Sequence, residues 1–323
     1  MLNDKLSDMA KERILYTTLT LLLCSLLLNA CQQEEFLDVN QTDEIHFLPS
    51  ESVATRAGLT DLQTGGFSVW GDYTLNGQSV KVFNGRKVYY TTGWRYDNPE
   101  YWTTGASYTF FALYPPVVAN DNSYTIPAEN GYTISNNILT YDASKQVDLL
   151  YAYATATYTG SGSVSTVPMN FCHTLAAIDF SIKLQEGITP TNSYELKSIE
   201  WGGMFTQGSF PLNSGNTPIQ WTYIGKNDQT VSITQFSATQ LAPSVAITPN
   251  ACVYIIPQNP GNVTLNFNLQ INGESITIPK VITGVDWEAG QRYLYNVTIA
   301  PTEITVETTP WETPRIDDIV IET

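Results

Sequence analysis

Residues 262–279 read NVTLNFNLQINGESITIP. Val263, Leu265, Phe267, Leu269 and Ile271 alternate with polar residues, and Ile276 and Ile278 resume the pattern beyond Asn272-Gly273. Successive strand residues point to opposite faces, so a strict period of two gives a sheet one apolar and one polar side. Asn-Gly favours a two-residue turn in which both residues take φ > 0, so the segment predicts a hairpin. YTLNGQSVKVF (73–83) predicts a second one around Asn76-Gly77. Hairpins of this kind need another layer to cover their apolar face.

The same pattern recurs along the chain. SYTFFALYPP (107–116) is an aromatic strand stopped by Pro115-Pro116, and QVDLLYAYATATY (146–158) is another β-rich run. In MNFCHTLAAIDFSIKL (169–184), Cys172, Thr174, Ala176, Ile178, Phe180 and Ile182 share one face by period two. WEAGQRYLYNVTIAP (287–301) places Tyr293, Tyr295, Val297 and Ile299 together. TGSGSVSTVP (159–168) has no periodicity and is the candidate linker. Past residue 30 no stretch meets the length and period of a helix. The expectation is an all-β chain of two packed-sheet domains, 57–165 and 166–323, which 323 residues accommodate.

Charged residues make up 14% of the chain against about 25% for a typical soluble protein. The net charge is −16, and removing residues 1–56 would take away four basic and nine acidic residues, leaving −11. This excludes a basic footprint for nucleic acid and favours solubility. Chemistry is sparse. The two histidines are His46 and His173. Cys172 and His173 are adjacent on a strand and so point to opposite faces, which argues against a nucleophile–base pair. No His/Cys/Asp cluster has zinc spacing. DNPE (97–100) and RIDDIVIE (315–322) carry carboxylates without a paired arrangement. The phosphate-loop and nucleophile-elbow motifs are absent. The reading is no enzyme, no metal and no cofactor. Trp and Tyr are plentiful and could form a sugar platform, but aromatic strands packing a β-core account for them as well.

The N-terminus carries an address. Lys11 and Arg13 precede the apolar run ILYTTLTLLLCSLLLNA (14–30), the layout of a secretory signal, with translation starting at Met1 or Met9. Seventeen residues is near the lower limit for a membrane span of about 20, and CQQEE follows rather than Lys or Arg. LLLNAC resembles the lipobox of bacterial lipoproteins, in which the cysteine, here Cys31, is acylated by chains such as palmitate and becomes the new N-terminus. Acyl chains hold a protein at a membrane by about 0.8 kcal/mol per buried CH₂. QQEE resembles tracts that send such lipoproteins to the cell surface. Cys24 leaves with the signal. Cys172 and Cys252 could pair in an oxidising compartment or stay as two buried thiols.

YTFFALYPP, VPMNFCHTLAAIDFSI, VYIIPQN (253–259) and WEAGQRYLYNVTI follow one another in that order, with the lipobox and a TRA junction at 55–57. Together they resemble the fimbrillins, subunits of type V pili of Bacteroides-type bacteria, from Cys31 to about Trp311. The resemblance implies two tandem transthyretin-like β-sandwich domains behind a signal (1–30) and a lipidated pro-segment (31–56). It implies export as an outer membrane lipoprotein, then cleavage after an arginine by an arginine-specific or trypsin-like protease. Here that bond joins Arg56 and Ala57, and the discarded strand lies in 36–55 around EIHFLP. A strand from a neighbouring fimbrillin subunit then fills the open groove in a cell-surface fimbrium. Further partners would be stalk, tip or anchor subunits and a receptor on a host or bacterial surface.

The chain offers a donor at 302–323. Ile304 and Val306 alternate, as do Ile319 and Ile321, with Pro310 and Pro314 between the two runs. The anchors are Ile304, Val306, Ile316, Ile319 and Ile321. A closing edge strand of the chain's own sheet is the plainer reading of the same residues, and both can hold at different stages. The alternative function is a lipid-anchored surface protein that binds glycans without polymerising. A hydrolase is disfavoured by the missing constellation.

Overall fold

The structure is a computed structural model. It describes residues 44–51, 57–120, 123–160, 162–164, 166–187, 192–213, 215, 219–225, 229–233, 239–243, 245–248, 252–300 and 304–310. Of the residues singled out above, Cys31, Arg56, Ile316, Ile319 and Ile321 lie outside these.

Strands dominate, as the alternation requires. Seven form the first sheet, in the order Phe47–Glu51, Val167–His173, Leu150–Thr157, Ser107–Tyr114, Phe67–Leu75, Gln78–Tyr90 and Trp94–Arg95. The first pair is parallel and the others are antiparallel. Asn76 (φ 52°) and Gly77 (φ 78°) make the tight turn between the Phe67–Leu75 and Gln78–Tyr90 strands. Ser107–Tyr114 lies mid-sheet. Tyr108, Phe110 and Ala112 enter one core, and Phe111 and Leu113 enter another on the opposite face. Both faces are covered, which is why this strand is apolar almost throughout.

The second half of the chain builds two sheets around one core. One sheet runs Val253–Ile255, Ala176–Leu184, Arg292–Ile299, Ile304–Pro310. The other runs Gln229–Ile233, Tyr194–Met204, Gln258–Ile271, Glu274–Trp287, with Thr239–Gln240 also on Tyr194–Met204. Ala176, Ile178, Phe180, Ile182 and Leu184 are fully buried by strict alternation. They share a core with Leu196, Ile199, Trp201, Leu265 and Phe267 of the facing sheet. Asn272 (φ 52°) and Gly273 (φ 88°) turn the long hairpin. A four-stranded sheet, Thr222–Ile224, Gln207–Pro211, Ile138–Asp142, Tyr132–Ser135, takes strands from both halves. It helps enclose a third core, in which Trp70, Phe111 and Leu113 meet Tyr141, Phe210 and Ile256.

Three features depart from the sequence reading. A nine-residue helix, Ala57–Gly65, follows directly on Arg56. It is too short for a periodic signal; Leu62 is buried, and Gly66 closes the end at φ +75° with its N–H on the Leu62 carbonyl at 2.8 Å. The run from Cys172 to Ile182 is two strands in two sheets. The chain leaves the first sheet at Thr174, whose N–H and hydroxyl both donate to the Leu149 carbonyl at 3.0 Å. Alternation carries through that break in the letters but not in space. Finally, the Gly/Ser stretch at 159–168 leads back into the same sheet, so the change of sheet falls near residue 174 rather than between 165 and 166.

Candidate functional site

The EIHFLP cluster occupies the edge of the first sheet. Ile45, Phe47 and Pro49 are buried in alternation, while Leu48 (54% exposed) and Ser50 face solvent. The strand runs parallel to 167–171, with Phe47 opposite Val167 and Pro49 opposite Met169. The Val167 N–H donates to the His46 carbonyl at 2.7 Å. An edge strand normally leaves half its backbone groups unpaired. Here the sheet rolls, bringing its far end back. The Phe47 ring meets Phe83 edge-on at 5.2 Å, Phe110 at 5.4 Å and Tyr96 at 6.0 Å. The two sheet edges thus approach across the side chains of one strand.

At Ile45 the far side is polar. Its N–H donates to the Glu100 carbonyl at 2.9 Å, and its carbonyl accepts the Tyr96 hydroxyl at 2.6 Å. The Glu100 N–H in turn donates to the Tyr96 oxygen at 3.3 Å. Burial pushes the Tyr96 phenol well above its usual pKa, so it remains a donor at any ordinary pH. Glu44 and Tyr101 form one further antiparallel bridge. Arg86 holds this loop: its Nη1 donates to the Asn98 carbonyl at 2.6 Å and pairs with Glu100 at 3.0 Å. Its guanidinium lies over the rings of Phe83 (5.4 Å) and Tyr96 (5.9 Å).

The other expected residues sit elsewhere. Ala57 opens the helix. Ile304 and Val306 belong to Ile304–Pro310, an edge strand of the chain's own sheet, opposite Ile299 and Val297. Cys172 and Cys252 are free thiols. The Cys172 thiol donates to the Tyr151 carbonyl at 3.4 Å, and burial pushes its pKa up to about 11, which keeps it an unreactive thiol at neutral pH. His173 Nδ1 lies 2.9 Å from Asp148 Oδ2, a local structural pairing. Among the described residues, no group of three or more His, Cys, Asp or Glu could hold a metal ion, and no helix is long and apolar enough to cross a membrane. Sequence reasoning missed Tyr96, Glu100 and Arg86. No local motif marks them: Tyr96 and Glu100 share a partner, Ile45, about fifty positions away, and Arg86 acts by holding their loop.

The fold and this slot define a class, an all-β protein that holds a strand in a lined groove at a sheet edge. Similar architecture occurs in a fimbrial protein of Bacteroides vulgatus: TM-score 0.58, 16% identity, covering 83% of this chain and 99% of that one. A candidate cell adhesion protein of Bacteroides ovatus gives 0.51 at 19% identity, over 84% and 98%. One from Bacteroides uniformis gives 0.50 at 19%, over 76% and 91%. No curated protein matches. At these identities the likeness is one of fold. The family comes from the sequence: a fimbrillin-like model matches residues 55–311. The chain belongs to the fimbrillin-like family, whose members are structural adhesion subunits of surface fimbriae and not enzymes.

Proposed function

We propose that this chain is a fimbrial subunit exported as an outer membrane lipoprotein through Cys31, cut between Arg56 and Ala57, and polymerised by strand exchange. The domains would be a seven-stranded N-terminal body and a two-sheet C-terminal body. The partners would be other fimbrillin subunits, a trypsin-like or arginine-specific protease, and a surface receptor. One observation carries the reading. The Phe47–Glu51 strand precedes Arg56 and is a separable edge element. Its inward side chains, Phe47 and Pro49, are buried against the rest of the chain. Removing it would expose the outer edge of 167–171 and the rings that surround Phe47. Such an edge is a template for a strand from another chain.

The donor would come from 302–323. Ile304 and Val306 are docked in their own sheet, so the exchange either releases that strand or uses the residues beyond it. The test is limited trypsin digestion of the chain without its signal, with N-terminal sequencing and a native gel. A stable product beginning at Ala57 that forms ladders, with ladders abolished by deleting 312–323, is the expected result. A chain left intact at Arg56, or cut and monomeric, overturns polymerisation and leaves the lipid-anchored glycan binder to be tested by sugar titration of Trp fluorescence.

A further inference from the structure

The groove around Ile45 has two kinds of wall. One is apolar and accepts side chains. The other, residues 96–100, takes hold of the main-chain N–H and carbonyl of Ile45. The Glu100 carbonyl takes its N–H and the Tyr96 hydroxyl takes hold of its carbonyl. Contacts of this kind ignore the identity of the side chain but demand a residue that still has an N–H. Proline fails there. The wall is also stiff. Arg86 bonds to the Asn98 carbonyl, pairs with Glu100 and lies over the rings of Phe83 and Tyr96.

Resting on the strand-exchange reading, we propose that residues 96–100 form a clasp that reads the main chain of any strand filling the groove, and that its occupant after cleavage is Ile319 of a second copy. The requirements are an apolar residue with a free N–H at the Ile45 position and another apolar residue two places later at the Phe47 position. Within 311–323, WETPRIDDIVIET, two apolar pairs have that spacing, Pro314/Ile316 and Ile319/Ile321. Pro314 has no N–H for the Glu100 carbonyl. Ile319 and Ile321 meet both conditions. Glu322 then takes the solvent-facing place of Leu48, and Thr323 the place of Pro49. Thirteen residues follow the Ile304–Pro310 strand. Extended, they span roughly 43 Å, enough to leave their own sheet without unpairing Ile304 and Val306 from their partners on Arg292–Ile299.

The register can be read by cross-linking. Leu48 lies opposite Pro168 on the exposed side of the strand pair. With Cys172 and Cys252 replaced by alanine and Arg315 by glutamine, which removes the tryptic bond inside the tail, the chain carrying Glu322→Cys and Pro168→Cys is cut with trypsin and oxidised. Disulfide-linked ladders on a non-reducing gel are expected. Glu307→Cys with Pro168→Cys reports the alternative in which Ile304 and Val306 enter the groove, and no linked ladder is expected from it. A second variant tests the clasp. Tyr96→Phe keeps the ring and removes the hydroxyl, and ladder formation should weaken about tenfold, the weight of one buried hydrogen bond. Circular dichroism of each uncut variant confirms that it has folded. Cross-links from position 307, or wild-type assembly by Tyr96→Phe, overturn the clasp and its register while leaving strand exchange standing. Cutting without any ladder in the unmodified chain removes both.

Discussion

Phe47 shows how much one side chain contributes at the edge. Its ring is 4% exposed and edge-on to Phe83 and Phe110, in the geometry that aromatic quadrupoles favour. Truncating a buried Phe costs about 3–5 kcal/mol through lost transfer energy and the cavity left behind. Phe47→Ala should lower the stability of the uncut chain by that amount in urea unfolding. The protein cut after Arg56 and separated from residues 44–51 should be indifferent to it, because the residue is gone. An uncut variant as stable as the parent would mean that the ring contributes nothing at the edge. Phe47 was legible in the sequence as part of an apolar cluster in a polar segment. Tyr96 was not. It is one of 19 tyrosines, and its hydroxyl acquires a role only when Ile45, fifty-one positions earlier, is brought beside it.

At the scale of elements, the long hairpin was the most readable part of the chain. Alternation placed Val263, Leu265, Phe267 and Leu269 inward, and all four are buried in the core. The return strand adds a detail that alternation does not state. Ile271 pairs with Glu274 across the two-residue turn, so hydrogen-bonded pairs continue at Leu269 with Ile276 and Phe267 with Ile278. Pro279, opposite Asn266, therefore falls where its missing N–H points to the outer edge of the sheet. Glu274–Trp287 is an edge strand of fourteen residues with Val281 53% exposed. Such an edge invites pairing unless something interrupts it. Pro279→Val should restore the edge N–H and give edge-to-edge dimers by light scattering without trypsin. A monomeric variant would show that the edge is guarded by other means. The helix Ala57–Gly65 was the opposite case. Nine residues are too few to give a period to read, and the helix end depends on Gly66 fitting where an added Cβ would lie 2.5 Å from the Val88 carbonyl oxygen.

Across the whole molecule, the two halves are stitched by side-chain amides standing in for strand partners. Gln146 brackets Tyr254: its Nε2 donates to the Tyr254 carbonyl and its Oε1 accepts the Tyr254 N–H, both at 3.0 Å. Within the second half, Gln258 brackets Phe205 in the same way at 2.8 Å. The third core adds apolar contact along the same join. Two interchangeable β-domains on a flexible linker would unfold separately; a shared core predicts one cooperative transition. Gln146→Ala leaves two backbone groups half-buried without partners, a loss of about 1–3 kcal/mol each at full burial. Calorimetry should show the single transition of the parent broaden or divide. An unchanged sharp transition would assign the coupling to the third core alone. None of this was visible in the letters. A glutamine that closes a bracket 108 positions away reads like any surface glutamine, whereas turns and alternating strands are local and announce themselves.

The parallel pairing of Phe47–Glu51 has a consequence in time. Phe47 meets Val167, 120 positions further along the chain. Closing a loop of that length costs about 4 kcal/mol of chain entropy before any contact rewards it, and contacts of such separation form late. A chain emerging from its amino end presents this strand first and its neighbour more than a hundred residues afterwards. The sheet from Ser107–Tyr114 to Gln78–Tyr90 can assemble from nearer pairings while the groove still stands empty. The last piece to settle is then the first piece made, and a foreign strand arriving at that moment competes with the chain's own. Tethering the native strand in the same molecule favours it by proximity, and a single cut in the connecting segment 52–56 would end that advantage.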